Sequence, residues 1–333
     1  MVAKSTSITI RDVARRANVA LSSVSRVLNG HPAVSETLRQ RVLSAVAELD
    51  YQPDFTATNL RRGSTMTIGF LVRDIASPLF SDMVKAAEAM VGKFGYSVVL
   101  MNSGGNPSRE AAHIRTLARS RVDGIILSLS SESDRDIVAA LKTLRAPVVL
   151  IDRAIGDVES SSVISDHFSG LCAATKYLAD LGHMRIALIT GPQDVLASRE
   201  RFRGYKAGLR AAGVRFDPAL VRMESYEELF GEQQATIVLG LEEPATAIIA
   251  GGAMIGYGTL RAIRDTGLAG IAIVACDSWR SPELFEPSVT VVRRDVAEMG
   301  RVAAELLLDL INGGTARSVT LPTELVVGAP VRP

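Results

Sequence analysis

The run Thr9-Ile-Arg-Asp-Val-Ala-Arg-Arg-Ala-Asn-Val-Ala-Leu-Ser-Ser-Val-Ser-Arg-Val-Leu-Asn29 reads as two short helices joined by a tight turn. Ile10, Val13, Ala14 and Ala17 fall at helical spacing and give the first helix one apolar stripe. Thr9 stands at its N-cap, with Asp12 three residues on in the place of a capping-box acid. Asn18-Val19 closes the helix, because asparagine tolerates the left-handed turn. A second helix begins near Leu21. Val24, Val27 and Leu28 face inward and leave Leu21, Ser22, Ser25, Arg26 and Asn29 outward. Short polar groups with one arginine suit contacts in a DNA groove, where a bulky charge on every turn would not. An ordinary helical hairpin carries the same pattern, so the pair alone leaves both readings open.

The next residues narrow the choice. Val34-Ser35-Glu36-Thr37 is a second capping signal, followed by a third helix with Leu38, Val42, Val46 and Leu49 as its apolar face. The chain continues through Leu49-Asp50-Tyr51-Gln52-Pro53-Asp54, Ala57 and Leu60 to Arg61-Arg62-Gly63. From Asp12-Val13-Ala14 through Ser23-Val24-Ser25-Arg26-Val27-Leu28-Asn29 to Tyr51 and Pro53, this run resembles the DNA-binding headpiece and hinge of the LacI/GalR-type (lactose-repressor) family, in order and without gaps. The resemblance implies a ligand-responsive transcriptional regulator, most simply a repressor, acting as a homodimer on a palindromic double-stranded DNA operator. It places DNA contacts at Thr9, Leu21, Ser22, Ser23, Ser25, Arg26, Asn29, Leu60, Arg61 and Arg62. Arg26 is the strongest hydrogen-bonding candidate, bidentate to a guanine, while Leu21 reaches only apolar edges such as thymine methyls. In the family, the hinge leucine (here Leu60) wedges into the minor groove and kinks the duplex, an unstacking cost that added contacts offset. Asp54 and Thr58 stand where the family usually has Asn and Arg, so one phosphate contact is lost from the hinge.

Charge agrees with a nucleic-acid-binding head. Residues 1–62 hold nine Lys/Arg against five Asp/Glu, a net of +4, whereas the whole chain carries +1, so the remainder is −3. A near-neutral total thus hides a basic head on a mildly acidic body. At 333 residues and 47% hydrophobic, the chain is long enough for two or three domains with sizeable cores. No run of eighteen uncharged apolar residues implies a membrane span, and the polar N-terminus enters helix one directly without a signal peptide. Cys172 and Cys276 belong to no metal or disulfide pattern, which points to a cytoplasmic, reducing compartment with no cofactor expected.

From Thr67 the pattern changes to alternating strands and helices. Strands are expected at Thr67–Val72, Ser97–Asn102, Gly124–Leu129, Pro147–Ile151, Ser162–Ser165, Arg185–Thr190, Thr246–Ala250 and Ile271–Ala275. Helices such as Leu79–Phe94, Arg109–Ser120, Phe168–Leu181 and Glu200–Ala212 lie between them. The alternation argues right-handed βαβ units and two doubly wound parallel sheets, a bilobed α/β core of periplasmic-binding-protein type I behind an all-α helix-turn-helix headpiece. The expected organisation is a headpiece at 1–53 and a hinge at 54–65. The resemblance, in which the chain crosses between lobes three times, adds an N-lobe of 66–165 with 294–323 and a C-lobe of 166–293 with 324–333.

Ligands of such sheets bind at the carboxyl ends of the strands. There the resemblance places the effector-facing residues Arg73, Ser77, Phe80, Asp152, Asp166, Arg201, Tyr226, Asp277 and Arg294, with Trp279 as a second stacking platform or a packed loop residue. Two departures matter. Ala250-Gly251-Gly252 replaces the family's Ala-Asn-Asp, so a polar clamp is missing or made by backbone. Arg73 and Arg294 join Arg201, so three arginines are expected near one cleft, and arginine pairs well with carboxylates and phosphates. This points to an anionic effector such as a sugar acid, a small carboxylate or a phosphorylated sugar. The alternative is that Arg73 and Arg294 bridge to Asp74, Asp152 or Asp277 and never touch ligand.

Two rival classes are weaker. Asp152, Asp166, His167, Asp277 and Cys276 suggest acid, base or nucleophile, but no nucleophile elbow, P-loop, zinc spacing or dinucleotide fingerprint accompanies them. Gly251 to Gly258 is glycine-rich without the dinucleotide spacing. A transport-type solute-binding protein shares the core but has no use for the headpiece. For a regulator, ligand alters DNA affinity only through its differential affinity for two lobe arrangements.

Overall fold

The computed structural model describes residues 8–28, 31–51, 64–277, 279 and 289–333. The chain divides into two compact units, Met1–Thr65 and Met66–Pro333. Asn29 and the hinge residues Asp54, Ala57, Thr58, Leu60, Arg61 and Arg62 lie outside the described residues.

In the first unit, α1 (Ile10–Ala17), α2 (Leu21–Leu28) and α3 (Glu36–Glu48) pack around Val13, Val24, Val27, Val42, Ala45 and Tyr51. The backbone N–H and hydroxyl of Thr9 both donate to Asp12, at 2.9 and 2.7 Å, which fixes the start of α1. Asn18 adopts the left-handed conformation, φ 51° and ψ 54°, and turns the chain into α2. Arg41 on α3 donates to the carbonyls of Ala17 and Asn18, at 2.8 and 3.1 Å. A cation thus closes the negative end of α1 and ties the third helix to the turn.

The second unit holds two six-stranded sheets. The first runs β11-β5-β4-β3-β1-β2 and is parallel throughout. It comprises β1 (Thr67–Val72), β2 (Ser97–Asn102), β3 (Gly124–Leu127), β4 (Val148–Ile151), β5 (Ser161–Ser165) and β11 (Ser318–Leu321). The second runs β12-β10-β9-β8-β6-β7, parallel except for β12. Its strands are β6 (Ile186–Thr190), β7 (Val221–Met223), β8 (Ala247–Ala250), β9 (Ala272–Cys276), β10 (Thr290–Arg294) and β12 (Thr323–Val326). The chain leaves the first sheet after β5, returns to it after β10, and crosses again between β11 and β12.

Helices cover both faces of each sheet. Against the first, α4 (Pro78–Gly92) and α11 (Val296–Ile311) enclose Phe70, Met83, Met299 and Leu307. On the opposite face, α5 (Pro107–Arg119) and α6 (Arg135–Lys142) enclose Ile114, Leu117, Ile125 and Leu141. Around the second sheet, α7 (His167–Asp180) and α8 (Leu196–Ala211) bury Leu171, Tyr205 and Leu209, while α9 (Glu228–Leu239) and α10 (Ala253–Thr266) bury Ala235, Val238 and Ile255. Gly204 brings α8 against α7, since a Cβ there would stand 2.3 Å from the Phe168 carbonyl oxygen. Strands β7, β10, β11 and β12 were not among the expected ones: they are three to five residues long, and β7, β11 and β12 are half-exposed. Such segments lack the continuous apolar run of the doubly covered central strands.

Candidate functional site

Strand ends from both sheets converge on a cavity of about 430 Å³ in the second unit. Arg73 and Asp74 enter it after β1, and Ser77 and Phe80 from the start of α4. Ser130 and Ser131 follow β3, while Pro192 and Asp194 follow β6. Glu224 to Glu228 follow β7, Gly252 to Met254 follow β8, and Asp277 follows β9. A larger, more open hollow of about 700 Å³ lies against α4 and residues 293–297 and 322–324. The smaller cavity is the candidate ligand site, because it sits where parallel sheets present their strand carboxyl ends.

Behind its wall lies a buried charge network. Arg294, from the end of β10, reaches Asp152 with Nη1 and Asp277 Oδ1 with Nη2, the latter at 2.8 Å. Arg201 on α8 donates to the same Asp277 Oδ1 at 2.9 Å and to the Gly251 carbonyl at 2.6 Å. His167 Nε2 lies 3.1 Å from Asp152 Oδ1, which also accepts the Ser165 backbone N–H at 2.8 Å. Burial alone would raise both carboxyls, but Arg294 with His167 holds Asp152 well below the usual range, and Arg294 with Arg201 lowers Asp277. Burial pushes His167 down, only partly offset by Asp152. Asp152 and Asp277 both adopt positive φ, 51° and 78°, at the ends of β4 and β9. Non-glycine residues held there carry local strain, which clusters at functional sites.

Both Arg201 and Arg294 bond to Oδ1 of Asp277, while Oδ2 would stand 3.6 Å from a Cβ placed on Gly252. Asp277 thus presents a carboxylate, a hydrogen-bond acceptor, on the cavity wall. Tyr226 is fixed through its hydroxyl, 2.5 Å from Ser198 Oγ, with its ring packed so close to Gly191 that a Cβ there would meet it at 2.0 Å. The Arg73 guanidinium lies 4.5 Å from the ring centroid. The Gly251 carbonyl, in the stretch that departs from the family's Ala-Asn-Asp, is taken up by Arg201.

The cavity brings together Arg73, Ser77, Phe80, Tyr226 and Asp277 among the expected effector residues. The others stand elsewhere. Asp152, Arg201 and Arg294 are buried in the network behind the wall, so the expected cluster of three ligand-facing arginines reduces to Arg73. Asp166 caps α7, accepting from Ser169 N at 2.9 Å, and it is the next residue, His167, that joins the network. Trp279 is packed, with its ring 4.6 Å from that of Tyr257, in a cluster with Ala253, Val289 and Val291. Ser130, Ser131, Asp194 and the acidic β7 loop were missed, although each immediately follows a strand and was findable by position. Cys276 is buried, which pushes its thiol up to about 11 and makes it a poor nucleophile.

In the first unit, Leu21, Ser22 and Arg26 are exposed along α2, and Ser23 and Ser25 half-exposed. Thr9 is exposed at the α1 N-cap. Residues 9–54 match the model for bacterial regulatory proteins of the lacI family, and residues 65–327 that for periplasmic binding proteins and the sugar binding domain of the LacI family. The chain belongs to the LacI family of transcriptional regulators. LacI-family relatives include the HTH-type transcriptional regulator RegA of Clostridium saccharobutylicum, 31% identical over 91% of this chain and 92% of that one. The ribose operon repressor of Escherichia coli K12 is 31% identical over 94% and 96%. A crystal structure of the Lac repressor dimer bound to operator and the anti-inducer ONPF superposes with a TM-score of 0.84 and 27% identity, covering 96% of this chain and 98% of that chain. The LacI family consists of DNA-binding regulators with a ligand-binding core, not of enzymes. Among the described residues, no helix is long and apolar enough to cross a membrane.

Proposed function

We propose that this chain is a cytoplasmic repressor whose homodimer binds a palindromic operator and responds to a small polyhydroxylated effector in the 430 Å³ cavity. The observation that carries the reading is Asp277: held charged by Arg201 and Arg294, it stands at a strand end on the cavity wall. A carboxylate so fixed is an acceptor for ligand hydroxyls. Operator contact is assigned to Thr9, Leu21, Ser22, Ser23, Ser25, Arg26 and Asn29, with Leu60, Arg61 and Arg62 in the hinge. The lobe division 66–165 with 294–323 and 166–293 with 324–333 is the corresponding proposal for the core. Support comes from the Lac repressor structure, a dimer on operator DNA, and from the ribose operon repressor as a relative.

Linkage to the lobes runs through Arg294. It joins Asp152 of the first sheet to Asp277 of the second, so a ligand that engages Asp277 acts on an interaction spanning both. Such a ligand shifts DNA affinity only to the extent that it favours one lobe arrangement. The test is a thermal-shift screen of the full chain against hexoses, pentoses and their acids, repeated with Asp277→Asn of confirmed circular dichroism. A ligand that binds only the folded state raises the melting temperature by mass action. A sugar-type ligand should stabilise the parent and not the variant. Equal stabilisation of both would refute the assignment of the cavity.

A further inference from the structure

Among the described residues, the cavity wall carries one cation without an ion pair. Arg73 is half-buried, lines the cavity, and stacks on Tyr226 with 4.5 Å to the ring centroid. Among the described residues no carboxylate lies at ion-pair distance from it, and its five N–H donors find no hydrogen-bond acceptor. Burial pushes Arg73 below the ordinary arginine value, and the neighbouring charge of Arg153 pushes the same way. Arg153 is buried and held by the carbonyls of Leu129 and Asp152, at 2.6 and 2.8 Å. Glu110 influences both arginines, but its oxygens are taken by Ser103 Oγ at 3.0 Å, Ser130 N at 3.0 and 3.1 Å, and Ser130 Oγ at 2.9 Å. Arg201 and Arg294 are committed to Asp277 and Asp152. Glu110 and Asp277 thus act on Arg73 only at a distance, and among the described residues no carboxylate pairs with its guanidinium.

A desolvated, unpaired charge is costly, and a planar guanidinium donates two parallel bonds to a carboxylate or phosphate. The same cavity is lined by Asp74, Asp194, Glu224 and Glu227. A second negative charge on the ligand would meet these acids with no further cation among the described residues of the lining to balance it. We propose that Arg73 anchors a single carboxylate, so that the effector is a monoanionic sugar acid, a uronate or aldonate, rather than a neutral sugar or a dianionic phosphate ester. This deepens the effector reading above and rests on it.

The experiment is isothermal titration of the full chain with D-glucose, D-galactose, D-glucuronate, D-galacturonate, D-gluconate and D-glucose 6-phosphate, repeated on Arg73→Gln and Arg73→Lys. At least one acid should bind, with its neutral counterpart and the phosphate ester at least about tenfold weaker, as expected for loss of a charge-assisted bond. Arg73→Gln should lose roughly 10- to 100-fold for the acid, and Arg73→Lys less, keeping the charge without the fork. Binding of no acid overturns the proposal. So does a neutral sugar or the phosphate binding as tightly as the acid, or an unchanged affinity in Arg73→Gln. A neutral sugar that binds parent and Arg73→Gln alike but not Asp277→Asn overturns the carboxylate anchor while leaving the cavity as the effector site.

Discussion

Arg294→Met cuts the only side chain that bonds both Asp152 and Asp277 among the described residues, and it does so in a site only 6% exposed. Removing one partner of a buried ion pair costs about 3–5 kcal/mol, because a desolvated charge is left behind. Here the lower end applies. Asp277 keeps Arg201 at 2.9 Å, and Asp152 keeps His167 at 3.1 Å and the Ser165 N–H at 2.8 Å. A loss of about 3 kcal/mol, against a urea slope of about 3 kcal/mol per molar for a core of this size, lowers the unfolding midpoint by about 1 M. Adding Asp152→Asn removes the stranded charge and should recover part of the loss, a coupling of about 0.5–3 kcal/mol. The assay is urea unfolding followed by tryptophan fluorescence, Trp279 being the chain's one tryptophan and packed in the core unit. A midpoint within about 0.2 M of the parent, at unchanged slope, would refute the claim that this network holds the two sheets together.

Acid should expose the same network. Asp152 and Asp277 are depressed in the folded protein, so their stabilisation is present above the unfolded carboxylate value near 3.8 and is lost as pH falls through the lower folded values. Without Arg294 those folded values rise, and acid unfolding of Arg294→Met, followed by circular dichroism, should begin at higher pH than in the parent. His167 is held below its ordinary 6.5, so its protonation is resisted by the fold; stability falls as pH drops from 6.5 toward the depressed value, and His167→Gln should flatten that limb of a Tm-versus-pH curve. Gly204→Ala drives a Cβ to 2.3 Å from the Phe168 carbonyl, and calorimetry should find α7 and α8 forced apart at a cost of about 1–3 kcal/mol. Arg26→Ala should lose about 1–3 kcal/mol at one base pair of a specific site and relax sequence preference there, measured by competition binding against single-base variants.

The first unit was legible almost residue by residue, because its signals are local. Thr9 and Asp12 cap one helix within a single turn, and Asn18 takes the left-handed turn that its side chain tolerates. The central strands were legible for a similar reason: a strand covered on both faces is a continuous apolar run, as at Gly124–Leu127 and Val148–Ile151. The short strands β7 and β12 were not, since charged residues such as the half-exposed Arg222 and the exposed Glu324 interrupt the pattern.

At the cavity, the sequence pointed to strand ends but not to which side chains turn inward. Asp166 and His167 are neighbours, yet one caps a helix at the surface of the crossing and the other is buried against Asp152. Arg201 and Arg294 were recognisable as crevice arginines, but their pairing with Asp277 joins residues 76 and 17 positions apart along the chain. Nothing in local spacing encodes such a partner, and the difference decides whether an arginine faces a ligand or neutralises the wall. Arg73 is the case that stayed open: Asp74 is beside it in sequence, but Asp74 Oδ1 accepts the Ala76 N–H instead.

The most direct measurement is selection of bound duplexes from a randomised DNA library by the purified full chain, followed by sequencing. The account predicts enrichment of one inverted-repeat site, read by two α2 helices of a dimer about one helical turn apart. Recovery of unrelated sequences, with no shared half-site and binding that collapses uniformly as salt rises, would contradict it, because phosphate contacts alone carry no sequence.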